Sequence, residues 1–424
     1  MERQYKDSGV EWIGMIPETW EYKRFKYSGV FEKGKLPESS NIDNNGLPII
    51  GASEMLGKAA RMYTIDESVP QCKKDDILIL WDGANAGITA TGLEGVVSST
   101  AVKYSCIDNS ILSKYAAYIL KHAEHYFKEK VTGTTIPHMN MAFINDFPLL
   151  FPPIYEQQRI ADYLDKKCEE IDSLIRLQEQ MIEKLKVYKQ SVITEAVTKG
   201  LNHNAKLVSS GITFVGNVPE GWAIVPLRYL GRTQNGISKS GEYFGEGYPF
   251  VSYSDVYKNY SLPTKVTGLA KSTKQDQILF SVEEGDVFFT RTSETIDEIG
   301  FSSVCLNTIE KAVFAGFLIR FRPYKNKLNK NFSKYYFRSS IHRAFFVKEM
   351  NLVTRASLSQ ELLKSMPVLL PPLDEQQAIA SFLDSKCSEI DKLIDVKQQK
   401  IEKLKDYKKS VIYEAVTGKI NIES

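Results

Sequence analysis

Apolar side chains recur in alternating steps of four and three along two stretches of the chain. The first series is Leu164, Cys168, Ile171, Ile175, Gln178, Ile182, Leu185, Lys189, Val192 and Ala196. The second is Leu383, Cys387, Ile390, Ile394, Lys397, Ile401, Leu404, Lys408, Val411 and Ala415. That rhythm is the seam of a coiled coil. A double proline precedes each series, where a helix loses nothing by lacking an N–H, and Gly200 and Gly418 stand just past the ends. Neither stretch contains an internal glycine or proline. Two long helices are predicted.

The helices are copies. PPIYEQQRIADYLDKKCEEIDSLIRLQEQMIEKLKVYKQSVITEAVT at 152–198 returns as PPLDEQQAIASFLDSKCSEIDKLIDVKQQKIEKLKDYKKSVIYEAVT at 371–417, with about two-thirds of the positions identical. A weaker repeat opens each half: DSGVEWIGMIPETW at 7–20 answers SSGITFVGNVPEGW at 209–222. The chain is a tandem duplication of a globular segment followed by a helix, with expected boundaries 1–151, 152–200, 201–370 and 371–424. Two matching seams are best buried on each other. Run antiparallel, they give the duplication a pseudo-two-fold axis and, at ~1.5 Å per residue over about 40 residues, a rod about 60 Å long. Such a rod would hold two globular domains at opposite ends. With a B-DNA repeat of about 34 Å, both could address one face of a duplex. For the polar seam positions, Gln178 with Lys189 and Lys397 with Lys408, two readings stand: they fix register, or they lie at the solvent edge.

In the globular segments, short apolar runs bounded by Gly, Asp and Asn predict strands: LPIIGAS, DDILILWDGANAGI and VVSSTAVKYSC in the first, YPFVSYSDV, EGDVFFTRTSETIDEIG and VFAGFLIRFRP in the second. Helices are expected at 114–130 and 330–350, each followed by a polar loop, VTGTTIPHMN and NLVTRASLS. The fold class is α+β: two tandem mixed α/β domains separated by two long helices in an antiparallel coiled coil. The aromatic-rich stretch 243–260 is read as core in preference to a base-stacking surface.

Composition adds less. With 43% hydrophobic and 25% charged residues, the chain has the make-up of a folded protein. The N-terminus lacks the apolar core of a signal peptide and no apolar run nears the ~20 residues that cross a bilayer, so the cytoplasm is expected. Cys72, Cys106, Cys168, Cys305 and Cys387 are scattered, with no Cys-x-x-Cys pair, and are expected as reduced thiols. The net charge of +2 is unevenly spread: about +7 over 206–370 against about −3 over 1–155. Either this is ordinary surface variation or the second segment faces phosphate.

Catalytic motifs are not recognised. Phe151-Pro152-Pro153-Ile154 has the wrong first residue for the Asn/Asp-Pro-Pro-aromatic motif of adenine methyltransferases and is explained as a helix start. Gly51…Gly57-Lys58-Ala59 fails the Walker spacing and ending. His122 and His125 lie one helical turn apart, but lack acidic or cysteine partners at ligand spacing; a surface pair is expected and no metal site.

The doubled PPIYEQQRIADYLD and PPLDEQQAIASFLD starts, the TEAVTKG and YEAVTGK ends and the two openings resemble the specificity (S) subunit of type I restriction-modification systems, along essentially the whole chain and in the same order. The resemblance implies a non-catalytic DNA-reading subunit, each domain recognising one half of an asymmetric bipartite target. It implies two modification subunits on the helices, which bind S-adenosylmethionine and methylate adenine, and restriction subunits that use ATP and Mg. No cofactor is implied in this chain itself. By loop position, the DNA-facing candidates are Ser53, Glu54, Asn85, Thr134, Thr135, His138 and Asn140, and in the second domain Ser252, Ser254, Arg291, Thr292, Ser293, Arg355 and Ser357; short hydroxyls, amides and Arg suit phosphate and base edges. Taken singly, each also reads as part of a solvated turn. Tyr163, Tyr188, Phe382 and Tyr407, outside the seam, either meet the modification subunits or widen the seam. The recognition subunit of a type II (IIB- or IIG-like) restriction-methylation enzyme, a protein-only coiled-coil scaffold, and a stand-alone methyltransferase are the alternatives.

Overall fold

The computed structural model describes residues 3–10, 13–107, 110–131, 137–293, 299–349 and 356–422. The chain divides into two compact units, Met1–Glu179 with Gln399–Ser424, and Gln180–Gln398. Both long helices are shared between them. The central helix, Ile154–Lys199, begins in the first unit and ends in the second, and the C-terminal helix, Leu373–Val416, does the reverse.

Each unit therefore contains the start of one long helix and the end of the other, and within each unit they run antiparallel. In the first, Glu156 lies at the Trp20 ring that also meets Gly418, while farther along Asp172 receives Lys408 Nζ at 2.7 and 2.8 Å. In the second, Gly200 abuts Glu375, and Lys189 Nζ donates to Asp391 at 2.7 and 2.8 Å. Thus Lys189 and Lys408 bridge the helix pair, while Gln178 is buried and Lys397 half-buried. Of the aliphatic seam positions, Leu164, Ile171, Ile182, Leu383, Ile390, Ile401 and Val411 are buried, and Ile175, Leu185, Val192, Ile394 and Leu404 are half-buried. Gly200 and Gly418 end the helices at φ of 70° and 71°, a left-handed turn that an L side chain resists.

The globular parts repeat one plan. In the first unit a hairpin, Tyr5–Asp7 with Met15–Pro17, leads into a ribbon of Glu21–Arg24 paired with Pro148–Phe151. Four antiparallel strands follow in the order Gly29–Lys33, Ala101–Cys106, Ile77–Leu80, Thr89–Ala90. The second unit matches with the hairpin Leu207–Ser209 and Asn217–Pro219, the ribbon Ala223–Pro226 and Pro367–Leu370, and the sheet Gly231–Asn235, Leu318–Pro323, Val287–Thr290, Ser302–Val304. A smaller mixed sheet sits beside each, carrying Leu47–Ile50 in one and Phe244–Val251 in the other.

The central strands explain why these runs read as continuously apolar. Ile77 and Ile79 enter the main core with the helix Ser113–Glu129, while Leu78 and Leu80 point into a second cluster; Val287 and Phe289 face one core and Phe288 another. A strand covered on both faces loses its polar alternation.

Two expectations change. The helix expected over 330–350 is two, Lys330–Tyr336 and Ser340–Glu349. At the break Ser339 Oγ takes the Tyr336 carbonyl, and Arg338 turns inward to donate to Ser302, Val256, Tyr257 and Asn259 carbonyls. The aromatic stretch 243–260 is core only in part. Val251 and Val256 are buried and Tyr243, Phe244, Phe250 and Tyr253 pack against core clusters, but Tyr248 is exposed.

The repeated motifs have structural work within each unit. Trp20 Nε1 donates to Glu156 at 2.7 Å, and Trp222 Nε1 to Glu375 at 3.0 Å. Gln157, fully buried, accepts from Leu112 N and donates to the Ser110 and Pro152 carbonyls; Gln376 accepts from Asn329 N and donates to those of Lys327 and Pro371. Tyr118 and Lys114 grip Asp165, as Tyr335 and Lys334 grip Asp384. The Glu-Gln-Gln motif and the Leu-Asp after it thus fasten each globular part to its helices.

Candidate nucleic-acid interface

One corner of each unit gathers most of the candidate residues. In the first unit the strand Ile77–Leu80 runs into a turn whose Trp81 N donates to Thr100 O at 2.8 Å and whose Trp81 O accepts Met139 N at 2.9 Å. Gly83 N donates to Pro137 O, and Asp82 bridges His138. The Asp82 carboxylate binds His138 Nδ1 at 2.6 Å through one oxygen and faces Lys33 Nζ at 3.5 Å with the other. His138 is half-exposed, and Asn85 is exposed in the same turn. Asn140 next to it caps the helix Met141–Asp146, its Oδ1 accepting from Ala142 N and Phe143 N.

Ser98 and Thr100 join this turn to the next. Ser98 N donates to Ile50 O at 3.0 Å, and its hydroxyl lies 2.8 Å from that of Thr100. Ile50 leads directly into the one-turn helix Ala52–Met55, on which Ser53 is exposed. Glu54 is committed to that helix: its carboxylate accepts from Gly51 N at 3.0 Å.

The second unit builds the same corner from other side chains. Arg291 N donates to Phe317 O at 2.9 Å, and Arg291 O accepts Leu358 N at 2.7 Å. Thr292 and Ser293 pair with Ser357 and Ala356 in an antiparallel ladder. Ala315 N donates to Val251 O, and the chain then enters the helix Tyr253–Lys258 through its cap, Ser252. Ser252 N and Oγ both donate to Asp255 at 2.8 and 2.7 Å, as Gly51 N does to Glu54, and Ser254 is exposed like Ser53. The Tyr253 hydroxyl donates to Thr292 O at 3.0 Å, tying helix to ladder. Arg338 lies beneath, holding the carbonyls at the end of that helix while stacked near Tyr260 and Phe301; burial pulls its guanidinium below its ordinary value.

The hydrogen bonds equate Trp81 with Arg291, Thr100 with Phe317, and Met139 with Leu358. Thr134, Thr135 and Arg355 lie outside the described residues. Reasoning from sequence overlooked Trp81, Asp82, Lys33, Thr100 and Phe317, and read Tyr253 only as part of the core stretch 243–260. The turn signals after the buried strands, WDG and TRT, point to the corner, but nothing in the sequence pairs Asp82 with His138.

Exposed hydroxyls, an amide and an imidazole beside backbone edges offer both donors and acceptors, the chemistry needed to meet phosphates and base edges. Among the described residues no three His, Cys, Asp or Glu side chains gather as a metal site, and no helix is long and apolar enough to cross a membrane. His122 and His125 stand ring to ring at 5.3 Å, with His122 against Tyr413. On the helices Tyr188, Phe382 and Tyr407 are exposed and Tyr163 half-buried.

Comparison with known proteins accounts for the duplication. The chain is 27% identical to the type I restriction enzyme MjaVIII specificity subunit of Methanocaldococcus jannaschii over 414 residues, 96% of this chain and 95% of that protein. It is 23% identical to the EcoKI specificity subunit of Escherichia coli over 325 residues, 74% of this chain and 67% of that protein. A chain from a structural study of complex assembly and conformational transition of the type I restriction-modification system shares its fold at a TM-score of 0.70 and 15% identity, covering 96% of this chain and 99% of that one. The HsdS subunit of Thermoanaerobacter tengcongensis does so at 0.50 and 16%, covering 96% and 98%. The family profile described as the type I restriction modification DNA specificity domain matches residues 17–187 and again 219–406, so the chain belongs to that family and carries its domain twice.

Proposed function

We propose that this chain is the specificity subunit of a type I restriction-modification complex and that each unit reads one half of an asymmetric bipartite DNA target through the corner described above. The reading rests on one observation above all: the two corners are drawn by the same backbone hydrogen bonds and filled with different side chains. An identical pair of readers would serve a symmetric target, whereas Asp82–His138 in one unit and Arg291 with the Thr292–Ser357 ladder in the other present different donors and acceptors. Individual DNA contacts are assigned to Ser53, Asn85, His138, Ser254, Arg291 and Ser357. Glu54, Asn140 and Ser252 support their loops as caps.

In this reading the chain itself performs no catalysis and holds no cofactor. Two modification subunits dock on the long helices, with Tyr188, Phe382 and Tyr407 among the contacts, and they carry S-adenosylmethionine to adenine. Restriction subunits with ATP and Mg complete the assembly, which works in the cytoplasm. Relatives matching along nearly the whole chain bear type I names, which favours this assembly over a type II enzyme.

The decisive experiment exchanges residues 21–151 for the corresponding segment of a relative with a different target, and maps methylated adenines by long-read sequencing in cells expressing the complex. One half of the methylated motif is expected to change and the other to stay. Change in both halves, or in neither, refutes the two-reader assignment.

A further inference from the structure

Phe317 does no visible work for the fold. It is 63% exposed, in the turn between the strands Val313–Phe314 and Leu318–Pro323, while its neighbours Phe314 and Leu318 are fully buried. The turn is not loose: Gly316 N donates to Ile237 O at 2.8 Å, Leu318 N to Ala315 O at 3.0 Å, and Arg291 N to Phe317 O. A large apolar ring is thus held outward on a rigid base, beside the arginine of the candidate interface.

The first unit supplies an independent parallel. Its equivalent residue, Thr100, is small and turns its hydroxyl to Ser98. Yet that unit also projects an apolar side chain at this corner, from the segment that follows the strand Gly29–Lys33. Lys35 N donates to Val97 O as Ile237 N does to Phe314 O, so Leu36, 81% exposed, occupies the place of Ser238. Ser238 in turn lies against Gly316, immediately before Phe317. Among the described residues, each corner therefore carries an exposed apolar side chain, Leu36 in one unit and Phe317 in the other.

Basic residues adjoin this turn along the backbone. Arg291 is bonded to Phe317 through the backbone, Lys239 follows Ser238, and residues 206–370 carry about seven more basic than acidic side chains. An apolar wedge flanked by cations fits a duplex, where phosphates take the charges and the ring enters the base stack. We propose that Phe317 wedges into a base step of the half-site read by the second unit and unstacks it, a role that rests on the DNA-reading assignment above.

The test uses the full chain assembled with its modification subunits, and duplexes carrying the mapped target with 2-aminopurine at successive adenine positions of each half-site. Wild type is expected to raise fluorescence at one step. Phe317→Ala should abolish that rise and weaken binding about tenfold to a hundredfold, with an unchanged thermal melt, while Phe317→Leu keeps part of both. Leu36→Ala should leave that step's signal intact. The wedge is overturned if Phe317→Ala keeps both signal and affinity, or if affinity falls without any fluorescence change and uracil in place of thymine reproduces the loss, which would assign the ring to a thymine methyl. If wild type does not prefer the mapped duplex to a scrambled one, the DNA-reading assignment fails and the wedge falls with it.

Discussion

The fastening of each unit and its corner make opposite use of the same duplication. In the fastening, side-chain bonds recur partner for partner: Trp20–Glu156 and Trp222–Glu375, Tyr118–Asp165 and Tyr335–Asp384, Asp172–Lys408 and Asp391–Lys189. In the corner the backbone bonds recur, with one helix-capping carboxylate, Glu54 or Asp255, and Trp81, Asp82 and Thr100 in one unit become Arg291, Thr292 and Phe317 in the other. The difference shows where sequence is free to vary. A ladder of N–H and C=O groups holds a turn in place whatever its side chains are, whereas a buried Gln satisfying three backbone groups has no substitute.

The sharpest way to break this comparison is to remove the glutamines. Gln157→Ala and Gln376→Ala should each destabilise their own unit by about 2–4 kcal/mol, because each leaves three backbone groups short of a partner, one of them buried and two partly buried. Denaturant unfolding followed by hydrogen exchange in each unit would measure it. A large loss in one unit beside none in the other would show that the fastenings are not equivalent.

A smaller effect separates the units by pH. His122 packs against Tyr413 in the first unit, and burial, followed by its neighbour His125, lowers its pKa to about 4 from an ordinary 6.5. The folded form favours neutral imidazole, so its contribution is fully present above pH 6.5, declines as pH falls toward 4, and does not change below that. With allowance for partial exposure, the loss is on the order of 1–2 kcal/mol. His122→Phe should flatten the pH dependence of stability of the first unit between those limits, while that of the second is unaffected. An unchanged slope would place the acid sensitivity elsewhere.

Much of the framework was legible because it is periodic or repeated. The four-and-three spacing marks Leu164, Ile171, Leu383 and Ile390, all of them buried, and the glycines after each series mark the turns at Gly200 and Gly418. The bonds of Glu156 and Gln157 could not be read, since their partners, Trp20, Leu112 and Ser110, are remote in sequence. The corners were legible only as loops. Loop position could not separate Ser53 and Ser254, which are exposed, from Glu54 and Ser252, which cap helices, because all four lie in similar polar stretches. The broken helix at 337–339 was hidden for a related reason: a helical pattern does not reveal that Arg338 finds four carbonyls by leaving it.

The finest test concerns the helix pair. Lys408 with Asp172 and Lys189 with Asp391 have nearly the same geometry, and in each bridge one partner is well exposed, with Asp172 at 42% and Asp391 at 52%. Water and salt therefore screen both, and each bridge should contribute about 0.3–1 kcal/mol. Double-mutant cycles on the two pairs, with alanine at each position, are expected to return equal coupling energies that shrink together as salt rises from low to about 1 M. Exchange of charges within one pair, Asp172→Lys with Lys408→Asp, should recover most of what either single change loses, since the attraction does not depend on which helix carries which sign. A coupling near zero in one unit against a full one in the other would mean that the repeated sequence is not matched by repeated energetics, even where the fastening looks most alike.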